Sequence, residues 1–233
     1  MEYLETPEDP TGTCAVLLTS NGRHRSLIAR LGAARSYRLE HLLEERLQAH
    51  LINAKIIYFT GFFLPVSPKT IEHLAQISQQ HQKTLAMNLS APFLSELCKE
   101  QMRKTLPFVD ILVGNKLEVV AFAKANEFEE TDDTKQIIKN IAKLWNTKTI
   151  IITDGKFPTT LYHQGNLEEF PVDPILESEI KDTNGAGDAF VGGFLSQLVQ
   201  GKPLEGCIAE GHRIAGLIIR NIGVDRCSLD SLS

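Results

Sequence analysis

The sequence lacks the features that mark membrane proteins and nucleic-acid-binding proteins. Its longest apolar runs are far too short to cross a bilayer, and the acidic opening at residues 1–5 is unlike the apolar segment of a secretion signal. The net charge is −5, so there is no basic excess to attract nucleic acid or an anionic membrane surface. We therefore expect neither nucleic acid nor a membrane as a partner.

Cysteine pairs and metal-binding clusters are also missing. The four cysteines, Cys14, Cys98, Cys207 and Cys227, are scattered, with no CxxC pair and no histidine at metal-ligand spacing. This pattern predicts four reduced thiols rather than a disulfide framework or a zinc site. Reduced thiols are typical of cytosolic and nuclear proteins, so we expect a cytoplasmic location, with the nucleus as the alternative.

What is present is ordinary for a water-soluble globular protein. Apolar residues make up 42% of the chain and charged residues 23%. At 233 residues the chain is long enough to bury a sizeable core in one large domain with a small appendage. The sequence contains no internal repeat that would indicate a solenoid.

Apolar patterning predicts a hairpin followed by alternating strands and helices. Residues 13–19 and 25–31 are apolar runs on either side of the turn signal Ser20-Asn21-Gly22. Further along, short apolar strands alternate with amphipathic helices, which is typical of an α/β fold with a parallel sheet sandwiched by helices. The predicted strands are 55–59, 84–88, 109–113 and 149–153, with a second hairpin at 159–162 and 168–172, and the predicted helices are 39–52, 67–81, 91–104, 116–123, 132–145, 187–200 and 203–221.

A glycine-rich segment, residues 182–188, leads into an apolar helix and is the stretch most suggestive of chemistry. Glycines at a helix entrance let the backbone approach a ligand closely. The amides of Gly185, Ala186 and Gly187, together with the helix dipole, would attract phosphate oxygens. Asp188 is placed to accept a proton from a hydroxyl that attacks phosphorus. An aspartate in a first helical turn also stabilises a helix without any chemistry, so spacing alone leaves both interpretations open.

Polar residues recur just past the carboxyl ends of the predicted parallel strands. Asn88 ends the second strand, Asn115 and Glu118 follow the third, and Asp154-Gly155 follows the fourth. Open α/β sheets bind ligands at this edge. The sequence therefore predicts a binding site there.

Several of these candidates have a structural alternative. Asn115 and Glu118 have the spacing of a helix capping box, which needs no ligand. His212 lies on an apolar helix, where a lone histidine is more often a core residue. Phe62, Phe63 and Phe93 could simply fill the core, although two phenylalanines after a strand end also suit a purine face.

Several motifs together resemble the ribokinase/phosphofructokinase-B family of sugar and nucleoside kinases, and within it the adenosine kinases. The motifs lie in family order along nearly the whole chain. They are Pro10-Thr11-Gly12-Thr13-Cys14, Arg25-Ser26-Leu27-Ile28-Ala29, Gly61-Phe62-Phe63-Leu64, Asn88-Leu89-Ser90-Ala91-Pro92-Phe93 and Asp182 through Phe194. A Walker-type phosphate loop is absent, since Lys156 follows Gly155 without the rest of that motif. Among kinase designs, the ribokinase-like one fits.

The resemblance implies a fold and an activity. The fold is a ribokinase-like α/β core at residues 37–233 with a remnant of a small β lid at residues 1–36. The activity is transfer of the γ-phosphoryl group of ATP, with Mg²⁺, to the ribose 5′-hydroxyl of adenosine, giving AMP in purine salvage. The resemblance also implies that the intact proteins are monomers.

The resemblance further implies roles for individual residues. The implied catalytic residues are Asp188 as the base, Gly185, Ala186 and Gly187 as the anion hole, and Arg25 as a cation at the transferring phosphate. The implied nucleotide-binding residues are Asn115, Glu118, Thr153, Asp154, Gly155, Asn184 and His212, and Glu118 also reaches Mg²⁺ through water. The implied adenosine-binding residues are Leu27, Ala29, Leu31, Phe63, Asn88 and Phe93.

Compared with that family, the chain lacks roughly the N-terminal third. The absent part would contain the first core strand, most of the lid and the residues that hold the ribose hydroxyls. We therefore expect the nucleotide site to be present, the nucleoside site to be half present, and an exposed sheet edge to promote association. Two alternatives stay open: another ribokinase-like sugar or nucleoside kinase, and a catalytically impaired fragment that binds nucleotide or dimerises.

Overall fold

The computed structural model describes residues 2–19 and 24–223. Within these residues the chain forms two compact units. The first unit comprises residues 2–11 and 32–169, and the second comprises residues 12–19, 24–31 and 170–223. The division of the chain into a lid at 1–36 and a core at 37–233 stays a prediction.

The described strands and helices follow the predicted alternation. The strands are β1 (Thr13–Thr19), β2 (His24–Arg30), β3 (Ile56–Thr60), β4 (Thr84–Asn88), β5 (Ile111–Asn115), β6 (Thr149–Asp154), β7 (Phe157–His163) and β8 (Asn166–Phe170). The helices are α1 (Leu39–Leu42), α2 (Glu45–Asn53), α3 (Pro68–Gln80), α4 (Pro92–Leu97), α5 (Lys99–Thr105), α6 (Lys116–Ala125), α7 (Thr134–Trp145), α8 (Ala186–Leu198) and α9 (Leu204–Ile218). In the described part of the chain, no helix combines the length and the apolar character needed to cross a membrane.

Six of the strands form one sheet in the order β3-β4-β5-β6-β7-β8. Strands β3 to β6 are parallel, and β7 is antiparallel to β6. Helices lie in each connection between the parallel strands, because neighbouring strands that point the same way need a crossover. The predicted α/β class is confirmed, and the sheet is mixed because the tight turn Gly155-Lys156 folds β7 back beside β6.

The hydrophobic core of the first unit covers both faces of the sheet. Residues 111–114 of β5 are all buried, so side chains on both faces of this strand are shielded from water. Leu85, Leu112 and Ile150 expose no surface at all. Burial on both faces is typical of parallel sheets and explains why the central strands are nearly continuous apolar runs.

Two of the predicted helices are broken in the structure. The helix expected at 39–52 is divided into α1 and α2 because Glu44, with φ −58° and ψ 135°, leaves the helical region. The helix expected at 91–104 is divided into α4 and α5 at Cys98, with φ −116° and ψ 26°. Apolar periodicity continues across both breaks, so the pattern does not reveal them.

In the second unit, β1 and β2 form an antiparallel two-stranded sheet. Leu17 is 54% exposed, and Leu27 and Ile28 are 53% and 65% exposed. An isolated two-stranded hairpin is only marginally stable in water. This hairpin therefore presents apolar side chains outward and contributes little core of its own.

Helices α8 and α9 pack against each other at glycines. A Cβ on Gly211 would lie 2.7 Å from the Phe190 ring, and a Cβ on Gly193 would lie 2.8 Å from the Glu210 carbonyl oxygen. Both distances are well inside van der Waals contact. Glycine at these two positions therefore sets how closely the helices approach.

We expect Gly211→Ala to lower the free energy of unfolding by about 1–3 kcal/mol, because the new methyl group overlaps the Phe190 ring. Gly206→Ala is the matched control in the same helix. Its Cβ would meet only Pro203 Cγ, 3.9 Å away, and alanine inside a helix is favoured over glycine by about 0.5–1 kcal/mol. Urea unfolding measures both variants, and equal stability would contradict this account of the packing.

Candidate active site

The glycine-rich turn opens α8 as an anion site requires. Gly185 is the N-cap residue, has φ 77°, and supplies no side-chain cap. The Ala189 N–H donates to the Gly185 carbonyl at 2.8 Å, so the amides of Gly187 and Asp188 precede this first helical bond and point out of the helix end. Gly187 and Asp188 are exposed. Backbone donors, the positive end of the helix dipole and a carboxylate therefore lie together.

Asp182, for which the sequence analysis predicted no role, holds this turn in place. It is only 4% exposed, and its carboxylate accepts the N–H of Asn184 at 2.8 Å and the N–H of Gly223 at 3.2 Å. The N–H of Asp182 donates to the Ile219 carbonyl at 3.3 Å. The sequence signal for this role is an aspartate whose side chain can bond the backbone two residues on. Asp182 thus joins the turn to the segment after α9.

The junction of β5 and α6 is a reciprocal capping box. The Glu118 N–H donates to Asn115 Oδ1 at 2.9 Å, and the Asn115 N–H donates to Glu118 Oε2 at 3.0 Å. Asn115 Nδ2 also donates to Glu118 Oε1 at 2.7 Å. Glu118 is 6% exposed. Asn115 and Glu118 therefore do form the capping box that their spacing allows. The box fixes the Glu118 carboxylate at the carboxyl edge of the sheet.

The end of β6 lies beside this capping box. Thr153 is opposite Asn115 in the register of the two strands. Asp154 accepts a hydrogen bond from Lys116 Nζ at 3.0 Å. This ion pair, which spacing did not reveal, places a positive charge directly beside the Asp154 carboxylate. Gly155 follows with φ 59°. The first unit therefore brings the ends of β5 and β6 together as predicted.

The aromatic residues near this edge differ in how far they are exposed to solvent. Phe62 is 50% exposed and Phe93 is 60% exposed, and their ring centroids lie 6.2 Å apart. Phe63 instead packs against the core and lies 5.3 Å from the Tyr37 ring. Phe62 is therefore the exposed aromatic neighbour of Phe93, although the family resemblance implied Phe63.

Asn88 shapes the loop that follows β4. Its Oδ1 accepts the Ser90 N–H at 2.7 Å, and the Ser90 hydroxyl accepts the Gly61 N–H at 2.9 Å. A Cβ on Gly61 would lie 2.6 Å from the Leu89 carbonyl oxygen, so a larger residue does not fit there. These contacts hold the loops after β3 and β4 together, next to the Phe62–Phe93 pair.

The predicted apolar face of the first hairpin is open to solvent. Leu27 and Leu31 are 53% and 49% exposed, and Ala29 is also exposed. The backbone of Arg25 belongs to β2, while its side chain lies outside the described part of the structure. The hairpin therefore exposes apolar side chains, and their role as adenosine contacts stays a prediction.

His212 lies on α9 beside Phe190, with ring centroids 5.5 Å apart. Burial lowers the pKa of His212, and the Asp173 carboxylate opposes this effect. The neutral imidazole is favoured by burial, so His212 is better suited to hydrogen bonding than to supplying positive charge.

The donor set at the sheet edge is compatible with Mg²⁺. Among the described residues, no group of three or more His, Cys, Asp or Glu side chains forms a metal cluster. Mg²⁺ usually keeps several waters and is bound through one or two carboxylates plus substrate phosphates, so it needs no such cluster. Both carboxylate oxygens of Glu118 accept hydrogen bonds from Asn115, which suits contact with the ion through water.

Comparison with known proteins decides the family. A family model described as pfkB family carbohydrate kinase matches residues 1–231. The chain belongs to the pfkB family. Adenosine kinase 1 of Arabidopsis thaliana is 40% identical over 228 residues, and the adenosine kinase of Schizosaccharomyces pombe is 37% identical over 215 residues.

Solved structures of pfkB relatives share the fold. The adenosine kinase of Anopheles gambiae, in complex with P1,P4-di(adenosine-5) tetraphosphate, matches with a TM-score of 0.90 and 38% identity, covering 98% of this chain and 67% of that one. The adenosine kinase of Schistosoma mansoni, in complex with 2-fluoroadenosine, matches with a TM-score of 0.90 and 29% identity, covering 97% of this chain and 67% of that one. The predicted ribokinase-like fold is confirmed.

This pfkB chain is shorter than the curated relatives it matches. The alignments cover 96% and 91% of the chain, but only 65% of the Arabidopsis protein and 63% of the S. pombe protein. The rest of each relative has no counterpart here. The predicted shortening relative to the family is confirmed.

The capping box gives a prediction about stability. Asn115→Ala removes the Oδ1 acceptor of the Glu118 N–H and the Nδ2 donor to the Glu118 carboxylate, and it keeps only the backbone N–H donor of residue 115. The free energy of unfolding should therefore fall by about 1–2 kcal/mol. Asn115→Ser keeps an N-cap acceptor and should lose less. Asp133→Ala, which removes the exposed cap of α7, is the control and should cost about 1 kcal/mol. Chemical denaturation measures the free energy of unfolding of each variant. A smaller loss for Asn115→Ala than for Asp133→Ala would contradict the expectation that the capping box stabilises the fold more than a single exposed cap does.

Proposed function

We propose that this chain is an adenosine kinase, in a form shorter than its relatives, that transfers the γ-phosphoryl group of ATP to the ribose 5′-hydroxyl of adenosine. The observation that carries the proposal is the turn at residues 185–188, where uncapped helix amides and an exposed carboxylate lie together. Phosphoryl transfer requires such donors for the transferring group and an acceptor for the hydroxyl proton. Similarity to adenosine kinases supports adenosine as the acceptor.

Asp188 acts as the general base in this proposal. It orients the 5′-hydroxyl and accepts its proton while the hydroxyl oxygen bonds to the γ-phosphorus. The bond between the γ-phosphorus and the β,γ-bridging oxygen breaks, and the products are AMP and ADP. The amides of Gly185, Ala186 and Gly187 stabilise the charge on the transferring group, and Arg25 neutralises its oxygens.

The nucleotide and its metal are assigned to the polar residues at the sheet edge and around the turn. The proposed ATP contacts are Asn115, Glu118, Thr153, Asp154, Gly155, Asn184 and His212. Mg²⁺, when bound, would reduce the charge on the phosphate oxygens. Glu118 would hold it through water, since its carboxylate is fixed by Asn115.

Adenosine is assigned to apolar and aromatic residues. The proposed contacts are Leu27, Ala29, Leu31, Phe63, Asn88 and Phe93. The exposed Phe62–Phe93 pair supports adding Phe62 to this set. Aromatic and aliphatic side chains suit the flat face of a purine better than a polar sugar, which favours a nucleoside kinase over a sugar kinase.

The lid, the compartment and the oligomeric state complete this proposal. The proposed division is a partial β lid at residues 1–36 and an α/β core at residues 37–233, and the exposed apolar side chains of the β1–β2 hairpin support a separate role for this segment. The described cysteines Cys14, Cys98 and Cys207 are free, which supports a reducing compartment, the cytoplasm and the nucleus. An intact adenosine kinase of this design is a monomer, whereas the shorter chain is prone to associate.

A second candidate is supported by the length of the chain. It spans 65% of the Arabidopsis relative, so it is also compatible with an impaired fragment that binds nucleotide. An assay for AMP formation from adenosine and ATP separates the two functions. Steady AMP production that requires both substrates supports the kinase, whereas nucleotide binding without AMP production supports the fragment.

We expect Asp188→Asn to lower turnover by at least ~10²-fold, the lower range for loss of a general base. ATP affinity should change little, because the substitution keeps the size of the side chain and the turn's amides. Turnover is measured in a form that is active, either the chain itself or the chain joined to the part of the Arabidopsis relative that it does not span. Near-normal turnover would remove Asp188 from the mechanism.

A further inference from the structure

Ser90 adopts a backbone conformation that residues other than glycine rarely take. Its φ is 70°, which lies in the left-handed region, where a side chain crowds the backbone. Such strain persists only where neighbouring contacts hold it, and it concentrates at functional sites. Ser90 belongs to the loop between β4 and α4, at the carboxyl edge of the sheet. The contacts of this loop must therefore fix its conformation.

The Ser90 side chain joins two loops that are separate in the sequence. Its Oγ accepts the Gly61 N–H at 2.9 Å and donates to the Asn88 carbonyl oxygen at 3.2 Å. The Ser90 N–H donates to Asn88 Oδ1 at 2.7 Å. The two backbones also touch, since a Cβ on Gly61 would lie 2.6 Å from the Leu89 carbonyl oxygen. The hydroxyl therefore fixes the start of the loop after β3 against the loop after β4.

Each of these loops carries one exposed aromatic ring close to the Ser90–Gly61 hydrogen bond. Phe62 directly follows Gly61 in the helical turn Gly61–Phe63, and Phe93 lies in the first turn of α4, shortly after Ser90. The two ring planes are inclined at 52° and the centroids are 6.2 Å apart. A flat base sandwiched between two rings would need about 7 Å, twice the optimal separation of carbon atoms. The pair is therefore an open, inclined surface, and its shape depends on how the two loops are joined.

We infer that Ser90 is a positioning residue for the nucleoside base, because its hydroxyl sets the separation and the inclination of the Phe62 and Phe93 rings. This inference rests on the proposed function, which assigns adenosine to this surface. Aromatic groups pack on one another in offset or edge-on arrangements, so a shift of one ring weakens binding while both rings are still present. Ser90 acts through the two rings, because its hydroxyl is engaged by the backbones of the two loops.

Three substitutions separate the hydroxyl from the strained backbone. Ser90→Ala removes the hydroxyl and keeps the strain, and Ser90→Gly removes both. Ser90→Thr keeps the hydroxyl but places a β-branched residue in the left-handed region, which increases the strain. In urea unfolding, the Gly variant should therefore be more stable than the Ala variant, and the Thr variant should be less stable than the unaltered chain.

Adenosine affinity should follow the hydroxyl instead of the stability. Calorimetry on the full chain should show ~5-fold weaker binding for both Ser90→Ala and Ser90→Gly, the loss expected for one hydrogen bond. Ser90→Thr should bind like the unaltered chain. Ser95→Ala is the matched control, since it removes a buried hydroxyl of α4 that has no hydrogen-bond partner among the described residues, and its affinity should not change.

NMR spectra of the chain without ligand measure the ring geometry directly. Contacts between the ring protons of Phe62 and Phe93, and slow exchange of the Gly61 amide, should be present in the unaltered chain and in Ser90→Thr. Both should be reduced in Ser90→Ala and Ser90→Gly. Folded Ala and Gly variants that keep these signals would overturn the inference.

The adenosine measurement separates a failure of this inference from a failure of the proposed function. An unaltered chain that binds no adenosine contradicts both. If the unaltered chain binds adenosine, and the Ala and Gly variants bind it equally well, only the role of Ser90 is overturned. Affinities that rise and fall with the stability of the variants would show that Ser90 is merely structural, and would overturn it as well.

Discussion

Burial of the parallel strands on both faces is the constraint on which the first unit depends. Since helices cover both faces, the loops at the carboxyl ends of the strands are where polar side chains reach water. The strand register then decides which polar residues become neighbours. Thr60 lies opposite Asn88, and Asn115 lies opposite Thr153, so residues far apart in the chain share one edge.

The start of α8 in the second unit depends on a different balance. A helix N-terminus without a side-chain cap leaves amides that attract an anion but also lowers helix stability. The Asp182 carboxylate offsets part of this cost because it accepts two backbone hydrogen bonds. One comes from the N–H of Asn184, just before α8, and the other from the N–H of Gly223, after α9. The buried carboxylate thus stabilises the turn, while the exposed Asp188 stays available for chemistry.

By itself the sequence determined the α/β class, the position of most strands, the glycine-rich turn and the family, because these depend on local periodicity, turn chemistry and contiguous motifs. Strand β4 lies where the pattern predicts it, at Thr84–Asn88. Only the tertiary structure decided that Glu44 breaks a helix, that Phe62 rather than Phe63 lies exposed beside Phe93, and that Lys116 pairs with an aspartate at the end of β6. The last two features depend on contacts between distant segments, and neither composition nor spacing records which segments will touch. The break at Glu44 lies inside a continuous apolar periodicity, so the pattern does not reveal it.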